Sequence, residues 1–179
     1  VAGAGDVYVA PFGTTLPTTV DAALDGNFFK LGYCTEDGLQ LSQTPNVEEF
    51  MAWQSRHPVR RELTSLEVGF TFGLEQWNEQ TLQTALGGGV VQEYSAGKYR
   101  YTPIEDTDQL DEVSIVAEWQ DGTKDYRLVI PKGQATESVE IQLTRTALAI
   151  LPVTIKALGQ SGGAAYSIYT NDPSFEAGS

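Results

Sequence analysis

Ser65-Leu-Glu-Val-Gly-Phe-Thr-Phe-Gly-Leu74 places apolar residues at even positions and small or polar residues at odd positions. This period of two predicts a β-strand with one apolar face and one polar face. If pairing begins near Glu62, the strand spans about thirteen residues, or roughly 40 Å at ~3.3 Å per residue, well beyond the usual ~5–6 residues. We expect a strand of this length to protrude from its domain or to join a larger sheet.

A helical pattern follows the strand directly. Glu75–Leu86 has one mainly apolar helical face, made by Trp77, Thr81, Leu82, Ala85 and Leu86, and acidic residues in its first two turns. Gly87–Gly89 predicts the end of this helix, because glycine readily adopts the left-handed conformation of a C-terminal cap. The nearest partner for the apolar face is the side of the preceding strand that carries Val68, Phe70 and Phe72.

The rest of the chain reads as shorter strands and loops. Turns are predicted at Glu36–Gly38 and Asp121–Gly122, and Thr44–Asn46 is predicted to break a strand. Further strands are predicted at Asp6–Pro11, Phe29–Thr35, Leu39–Ser42, Glu48–Gln54, Val90–Glu93, Lys98–Pro103, Val113–Trp119, Lys124–Pro131, Ser138–Thr144, Val153–Leu158 and Ala164–Thr170. About ten strands and one helix predict a mainly β fold, a β-sandwich or barrel with one flanking α-helix, in a single domain of residues 1–179.

Composition and charge limit the function. The 179 residues include 24 acids and 11 Lys or Arg, for a formal net charge of -13, which disfavours binding to nucleic acid phosphates. An acidic protein can still face DNA if its role is to repel it. The single cysteine, Cys34, excludes an intrachain disulfide and is expected to be a small buried hydrophobe. No apolar run reaches ~18–20 residues and Val1–Asp6 does not resemble a signal peptide, so we expect a soluble chain without membrane insertion.

One basic segment interrupts this acidic chain. Arg56, His57, Arg60 and Arg61 are four of the twelve Lys, Arg and His residues and lie within six positions. A basic tip between two strands could contact an acidic surface on a neighbouring subunit. A solvated loop explains the same charges equally well.

The sequence contains no strong catalytic or metal-binding pattern. His57, the only histidine, lies between Arg56 and Pro58, and no serine elbow motif accompanies it. The residues 105–112 are rich in carboxylates but lack the spacing of a calcium-binding loop. A glycosidase could use a pair such as Glu67 and Glu140, although chance pairs are common in an acidic chain. We therefore expect no enzyme activity, no cofactor and no metal.

The predicted strands Ser65–Leu74 and Ser138–Thr144 have similar small, polar faces. This similarity suggests that the chain assembles with further copies of itself. If strands from several copies closed into one oligomeric β-barrel, every sheet edge would be paired and a lumen would form. The lumen wall would be small, wet and acidic, and would repel a passing polyanion. It would carry Ser65, Glu67, Gly69, Thr71, Ser138, Glu140 and Gln142.

An ordered set of short patterns resembles the major tail tube proteins of long-tailed, siphovirus-type phages infecting actinobacteria. The set consists of Phe29–Leu39, Trp53-Gln, Pro58–Arg60, Phe70–Phe72 leading to Glu75, Leu86–Gly88 and Ala149–Ile155. The resemblance covers most of the chain. It implies a β-sandwich with a flanking helix, stacked hexameric rings around a channel for DNA ejection, and no catalytic residues.

The same resemblance implies the contacts between subunits. The loop of about residues 45–61 should reach a neighbouring ring, and the N-terminal arm of about residues 1–28 and the C-terminal tail of about 171–179 should make further contacts. The inter-subunit candidates are Trp53, Arg56, His57, Val59, Arg60 and Arg61. Implied partners are further copies of the chain, a tape measure protein and tail terminator and initiator proteins, in a virion tail assembled in the host cytoplasm.

A carbohydrate- or receptor-binding β-sandwich module is the alternative function. In that case Trp53, Trp119 and the tyrosines would be stacking platforms for a ligand. Aromatic residues dominate protein cores and interfaces, so their number alone does not require a ligand. Glycan binding by a stable monomer would favour this alternative over a tube subunit.

Overall fold

The structure is a computed structural model that describes residues 3, 5–105, 109–136, 139–143, 148–160 and 162–176. These residues form ten strands, one α-helix and one 3-10 turn. In chain order they are β1 Gly5–Pro11, β2 Phe29–Lys30, β3 Cys34–Met51, β4 Pro58–Leu74, α1 Glu79–Leu86, β5 Val90–Ser95, β6 Lys98–Thr102, β7 Val113–Asp121, β8 Lys124–Ala135, β9 Leu151–Ala157, β10 Ser167–Thr170 and the 3-10 turn Pro173–Phe175. The mainly β fold with a single α-helix is confirmed for this part of the chain.

The main sheet is antiparallel and has the strand order β2-β1-β7-β8-β9-β4-β3, with β10 also paired to β8. Strand β8 joins two layers, because its first part pairs with β7 and β10 while only Gly133–Ala135 pairs with β9. At this corner a Cβ on Gly133 would lie 2.5 Å from Ile155 Cγ2. Glycine therefore allows the two layers to meet.

The hydrophobic core lies between the two layers. Phe70 and Phe72 pack with their ring centroids 5.2 Å apart, and alternate residues of the neighbouring strands complete the core. One layer contributes Val7, Val9, Ile115, Ala117, Leu128 and Ile130, and the other contributes Phe70, Phe72, Leu74, Leu151, Val153 and Ile155. The predicted alternation of Ser65–Leu74 is thus confirmed in its inner half, where Val68, Phe70, Phe72 and Leu74 are buried.

The helix begins later than predicted, at Glu79. Asn78 is the N-cap: its side chain accepts a hydrogen bond from the Thr81 backbone N–H, and Thr81 Oγ1 accepts one from the Asn78 N–H. This capping box sets the first turn at Asn78 and leaves Trp77 outside the helix. Gly87 has φ 74° and confirms the predicted end of the helix. The helix lies mainly against β9, and its Ala85 belongs to the same core cluster as Phe70 and Phe72 of β4.

Two predicted interruptions of β3 are wrong. The strand continues from Cys34 to Met51 through Glu36–Gly38, where the register shifts and Gly38 has φ 73°, and also through Pro45. Both features are tolerated because β3 is the edge strand of the sheet in the described part of the chain.

Three predicted boundaries also change. The long loop of residues 45–61 is mostly a two-stranded hairpin, with only 52–57 outside β3 and β4. The N-terminal arm of residues 1–28 includes β1, which lies in the sheet. The strand predicted for 138–144 is absent at 139–143, while Ser138 and Thr144 lie outside the described residues.

Candidate assembly interface

The outer part of β3 and β4 forms a hairpin that extends beyond the body of the domain. Pairing of β4 with β9 ends at Gly69↔Lys156, and beyond Gln43↔Val68 the strands β3 and β4 pair only with each other. From 44 to 67 every residue except Ala52, Ser55 and Pro58 is exposed. The nine residues from Gln43 to Met51 span roughly 30 Å at ~3.3 Å per residue, so the expected protrusion of the long strand is observed.

One side of this hairpin continues the apolar face of the core. Cross-strand pairs place Leu41 beside Phe70 and Val47 beside Leu63, and Leu66 lies on the same side opposite Pro45. We call the exposed residues Leu41, Val47, Leu63 and Leu66 the apolar stripe; they are 36%, 51%, 61% and 44% exposed. A contiguous exposed apolar surface of this kind marks a site of protein association.

The tip of the hairpin brings the six inter-subunit candidates together. Trp53, Arg56, His57, Val59, Arg60 and Arg61 are all exposed, and Trp53 completely so. The predicted basic character is partly neutralised, because Arg61 Nε lies 2.7 Å from Glu49 Oε1 and Arg60 forms an ion pair with Glu62. The tip therefore presents the exposed apolar side chains of Trp53 and Val59 beside its partly neutralised charges.

The other side of the sheet is a polar face made by β3, β4 and β9. It includes the candidates Ser65, Glu67 and Thr71, and the register adds residues that the sequence interpretation missed, Gln40, Ser42, Thr44, Asn46, Thr154 and Lys156. Thr71 Oγ1 lies 3.3 Å from Thr154 Oγ1, and Asn46 Nδ2 donates to Ser65 Oγ at 2.9 Å. The alternation of Gln40 and Ser42 with Leu39 and Leu41 was the available signal for β3.

Glu140 and Gln142 lie in segment 139–143, which has the alternating burial of a β-strand but forms no backbone pairing with another described strand. Val139 and Ile141 pack against the core, whereas Glu140 and Gln142 are exposed. The register of β8 and β9 is Ala135↔Ile155, so the same phase carried onward would set Glu140 and Gln142 on the polar face. Ser138, the sixth lumen candidate, lies outside the described residues.

Several backbone edges have no partner strand in the described part of the chain. One is the outer edge of β3, which pairs only with β4. Segment 139–143 offers another: it pairs with no described strand, and it would lie beside the start of β9 if it continued β8. Unpaired edges of this kind are templates for pairing with another chain.

A family model described as phage tail tube protein matches residues 1–178. The chain belongs to the phage tail tube protein family. Membership makes it a structural component of a phage tail that self-assembles into a tube, and confirms the family suggested by the sequence resemblance at this level. A search of curated proteins finds no match.

Two polar anchors hold the loops of the tail tube protein to its sheet. Arg127 is buried; its Nη1 donates to the carbonyls of Thr19 and Ala22 at 2.6 and 2.8 Å, and its Nη2 lies 2.6 Å from Glu118 Oε1. These bonds fix the middle of segment 12–28 against the face of β7 and β8 that points away from the core. This part of the predicted arm is thus fastened to its own domain.

The second anchor, Asp172, holds the start of the C-terminal tail. Its Oδ1 accepts hydrogen bonds from the backbone N–H and Oγ of Ser174, and its Oδ2 accepts from Tyr126 OH at 2.6 Å and Lys124 Nζ at 2.9 Å. The bonds from Ser174 first, and then those from Tyr126 and Lys124, hold the pKa of Asp172 well below its usual value. Tyr126 also stacks on Trp119 with centroids 5.5 Å apart, so Trp119 packs against its own domain.

The remaining features of the described residues concern metal ligands, the single histidine and the length of the helices. Within these ranges, no group of three or more His, Cys, Asp or Glu could hold a metal ion. The exposed His57 is near Ser55, whose Oγ donates to the His57 carbonyl at 2.8 Å and is not directed at the imidazole. Among the helices of the described ranges, none has both the length and the apolar character to cross a membrane.

Proposed function

We propose that this tail tube protein forms hexameric rings that stack into the tail tube of a siphovirus-type phage infecting actinobacteria, and that the channel conducts DNA into the host. The observation that supports the proposal is a sheet layer with a dry face, a wet face and, at β3, an unpaired edge among the described strands. Such a sheet can be completed by further copies of itself without exposing its core.

Ring closure would pair the outer edge of β3 with segment 139–143 of the next copy. If 139–143 continues β8 alongside β9, the strands in the order 139–143, β9, β4 and β3 alternate in direction. The next copy's 139–143 would then run antiparallel to β3, as a continuous antiparallel barrel requires. Four strands from each of six copies, ~4.8 Å apart and tilted by ~40°, would give a backbone barrel roughly 45–50 Å across, wide enough for a DNA duplex.

In this arrangement the polar face lines the channel. The proposed lumen residues are Ser65, Glu67, Thr71, Ser138, Glu140 and Gln142, joined by Gln40, Ser42, Thr44, Asn46, Thr154 and Lys156. A formal charge of -13 per copy amounts to -78 per six-membered ring. A small, hydrated and acidic wall gives DNA phosphates few groups to bind, so the duplex can slide.

Ring stacking would use the hairpin of β3 and β4. Its length of roughly 30 Å allows Trp53, Arg56, His57, Val59, Arg60 and Arg61 to reach a neighbouring ring. The N-terminal segment and the C-terminal tail would add contacts between copies. We further propose a tape measure protein inside the tube, terminator and initiator proteins at its ends, assembly in the host cytoplasm, and no enzymatic role.

Negative-stain electron microscopy of the purified protein at rising concentration tests this proposal, with sedimentation velocity to count subunits per ring. Hollow six-membered rings that grow into tubes are the expected result. Rings with another number of subunits would refute the hexamer. A strictly monomeric protein that also stays monomeric when tail initiator complexes are added would refute the tube.

A further inference from the structure

An apolar groove opens beside the edge strand β3. Its volume is about 370 Å³, and it lies between the two layers of the sandwich. Its side-chain lining is Leu39, Leu41, Phe70, Trp119, Leu128 and Ile168. Leu41 and Ile168 remain 36% and 45% exposed at its mouth, so in the described part of the chain the groove is only partly filled.

The position of the groove explains why it is open. Leu39 and Leu41 point to the core side of β3, and β3 is the last strand of its layer in the described ranges. In a continued sheet, the core-side residues of the next strand would cover them, because same-face neighbours on adjacent strands are in contact. The occupant of the groove should therefore come from whichever strand pairs with β3.

Leu143 is an apolar residue that is not buried in the core of its own domain. It follows Val139 and Ile141 in the same alternation, and those two residues pack against the core of their own domain. Leu143 instead is 75% exposed. By alternation Leu143 lies on the same side of the segment as Val139 and Ile141, but unlike them it does not reach the core of the domain.

We infer that Leu143 of the next copy fills the apolar groove beside β3 of the first. This inference rests on the ring closure proposed above. If 139–143 continues β8, the register Ala135↔Ile155 carried onward sets it beside Leu151, which pairs with Leu74, and Leu74 pairs with Cys34. Antiparallel pairing in a closed ring brings Leu143 to the same half of β3 that supplies Leu39 and Leu41.

Leu143→Ser tests the inference without disturbing the monomer, because the side chain is exposed before assembly. The matched control is Leu148→Ser: Leu148 is 68% exposed and lies out of phase with the buried Leu151, Val153 and Ile155. Loss of a central anchor costs at least ~2 kcal/mol, which corresponds to a roughly 30-fold rise in the critical concentration for ring formation. We expect this rise for Leu143→Ser and less than ~3-fold for Leu148→Ser, with equal Tm values for both monomers.

Cross-linking locates the contact directly. In a Cys34→Ala background, Leu143→Cys combined with either Leu39→Cys or Leu41→Cys should give a ladder of disulfide-linked oligomers on mild oxidation, because a disulfide needs Cβ atoms ~3.5–4.5 Å apart. Leu148→Cys with the same partners should give none. If tubes form but Leu143→Ser assembles like the parent, or neither cysteine pair cross-links, the groove contact is refuted while the tube remains. If the parent protein forms no rings or tubes under any condition, the proposed function itself fails.

Discussion

Gly133→Ala should destabilise the monomer by overpacking the corner where the two layers meet. A Cβ at this position would lie 2.5 Å from Ile155 Cγ2, and both Gly133 and Ile155 are buried. Packed carbon atoms lie ~3.5–4.0 Å apart, so β8 and β9 must separate by about 1 Å. These strands are joined by only three residue pairs, Gly133↔Ala157 to Ala135↔Ile155. We expect a loss of about 1–3 kcal/mol in the free energy of unfolding.

Urea unfolding followed by circular dichroism, together with a thermal scan, measures this loss. For a chain of this size, 1–3 kcal/mol corresponds to a fall in Tm of roughly 2–12 °C. Gly26→Ala is the matched control, since no atom lies within 4 Å of its added Cβ and its backbone is not left-handed. The control should be neutral or stabilising by up to ~1 kcal/mol. A Gly133→Ala protein as stable as the control would refute the tight approach of β8 and β9.

Three further predictions concern the anchors and the hairpin tip. Arg127→Met should lower the free energy of unfolding in urea by roughly 1.5–3 kcal/mol, because the carbonyls of Thr19 and Ala22 and the carboxylate of Glu118 lose hydrogen bonds from a charged group. It should also expose segment 12–28 to proteases, and unchanged cleavage there would contradict the anchor. Because the pKa of Asp172 is lowered, this carboxylate stabilises the fold above its ordinary pKa of 3.8, and the contribution is lost as the pH falls further. Asp172→Asn should therefore show a smaller fall in Tm on acidification below about pH 4, and an unchanged dependence of Tm on pH would contradict the anchor. Charge reversal at Arg56, Arg60 and Arg61 should block tube growth, scored by electron microscopy, while leaving the monomer folded, and normal growth would refute the role of the tip.

The elements that the sequence predicted well are those with strong local signals. The alternation of Val68–Leu74, the Asp121–Gly122 turn between β7 and β8, and the end of the helix at Gly87 all appear as predicted. Each depends on side-chain periodicity or on a backbone conformation that glycine favours. Such signals are contained within a few consecutive residues.

The errors arose where distant contacts override local preference. Gly38 and Pro45 predicted breaks, but β3 pairs with β4 on both sides of Gly38 and also at Pro45, and this pairing carries the strand through both. Segment 139–143 shows the reverse error: its apolar and polar residues alternate as in a strand, but it forms no strand in the described structure. Alternation alone does not make a strand, because a strand also needs a neighbouring edge to pair with.

The polar face of the sheet was predicted only in part for the same reason. Ser65, Glu67 and Thr71 follow from the alternation within one strand. Thr154 lies more than eighty positions beyond Thr71, and only the register of β4 with β9 brings their hydroxyls to 3.3 Å. Long-range register is set by packing of the opposite, buried face, which local sequence does not determine.

A cryo-electron microscopy reconstruction of the assembled tube would resolve both the ring closure and the residues that line the channel. We expect six copies per ring, β3 of each copy hydrogen-bonded to 139–143 of the next, and Glu67 and Thr71 facing the channel while Phe70 and Phe72 remain in the core. A ring closed through other elements, or a channel lined by a face other than that of Glu67 and Thr71, would contradict this arrangement.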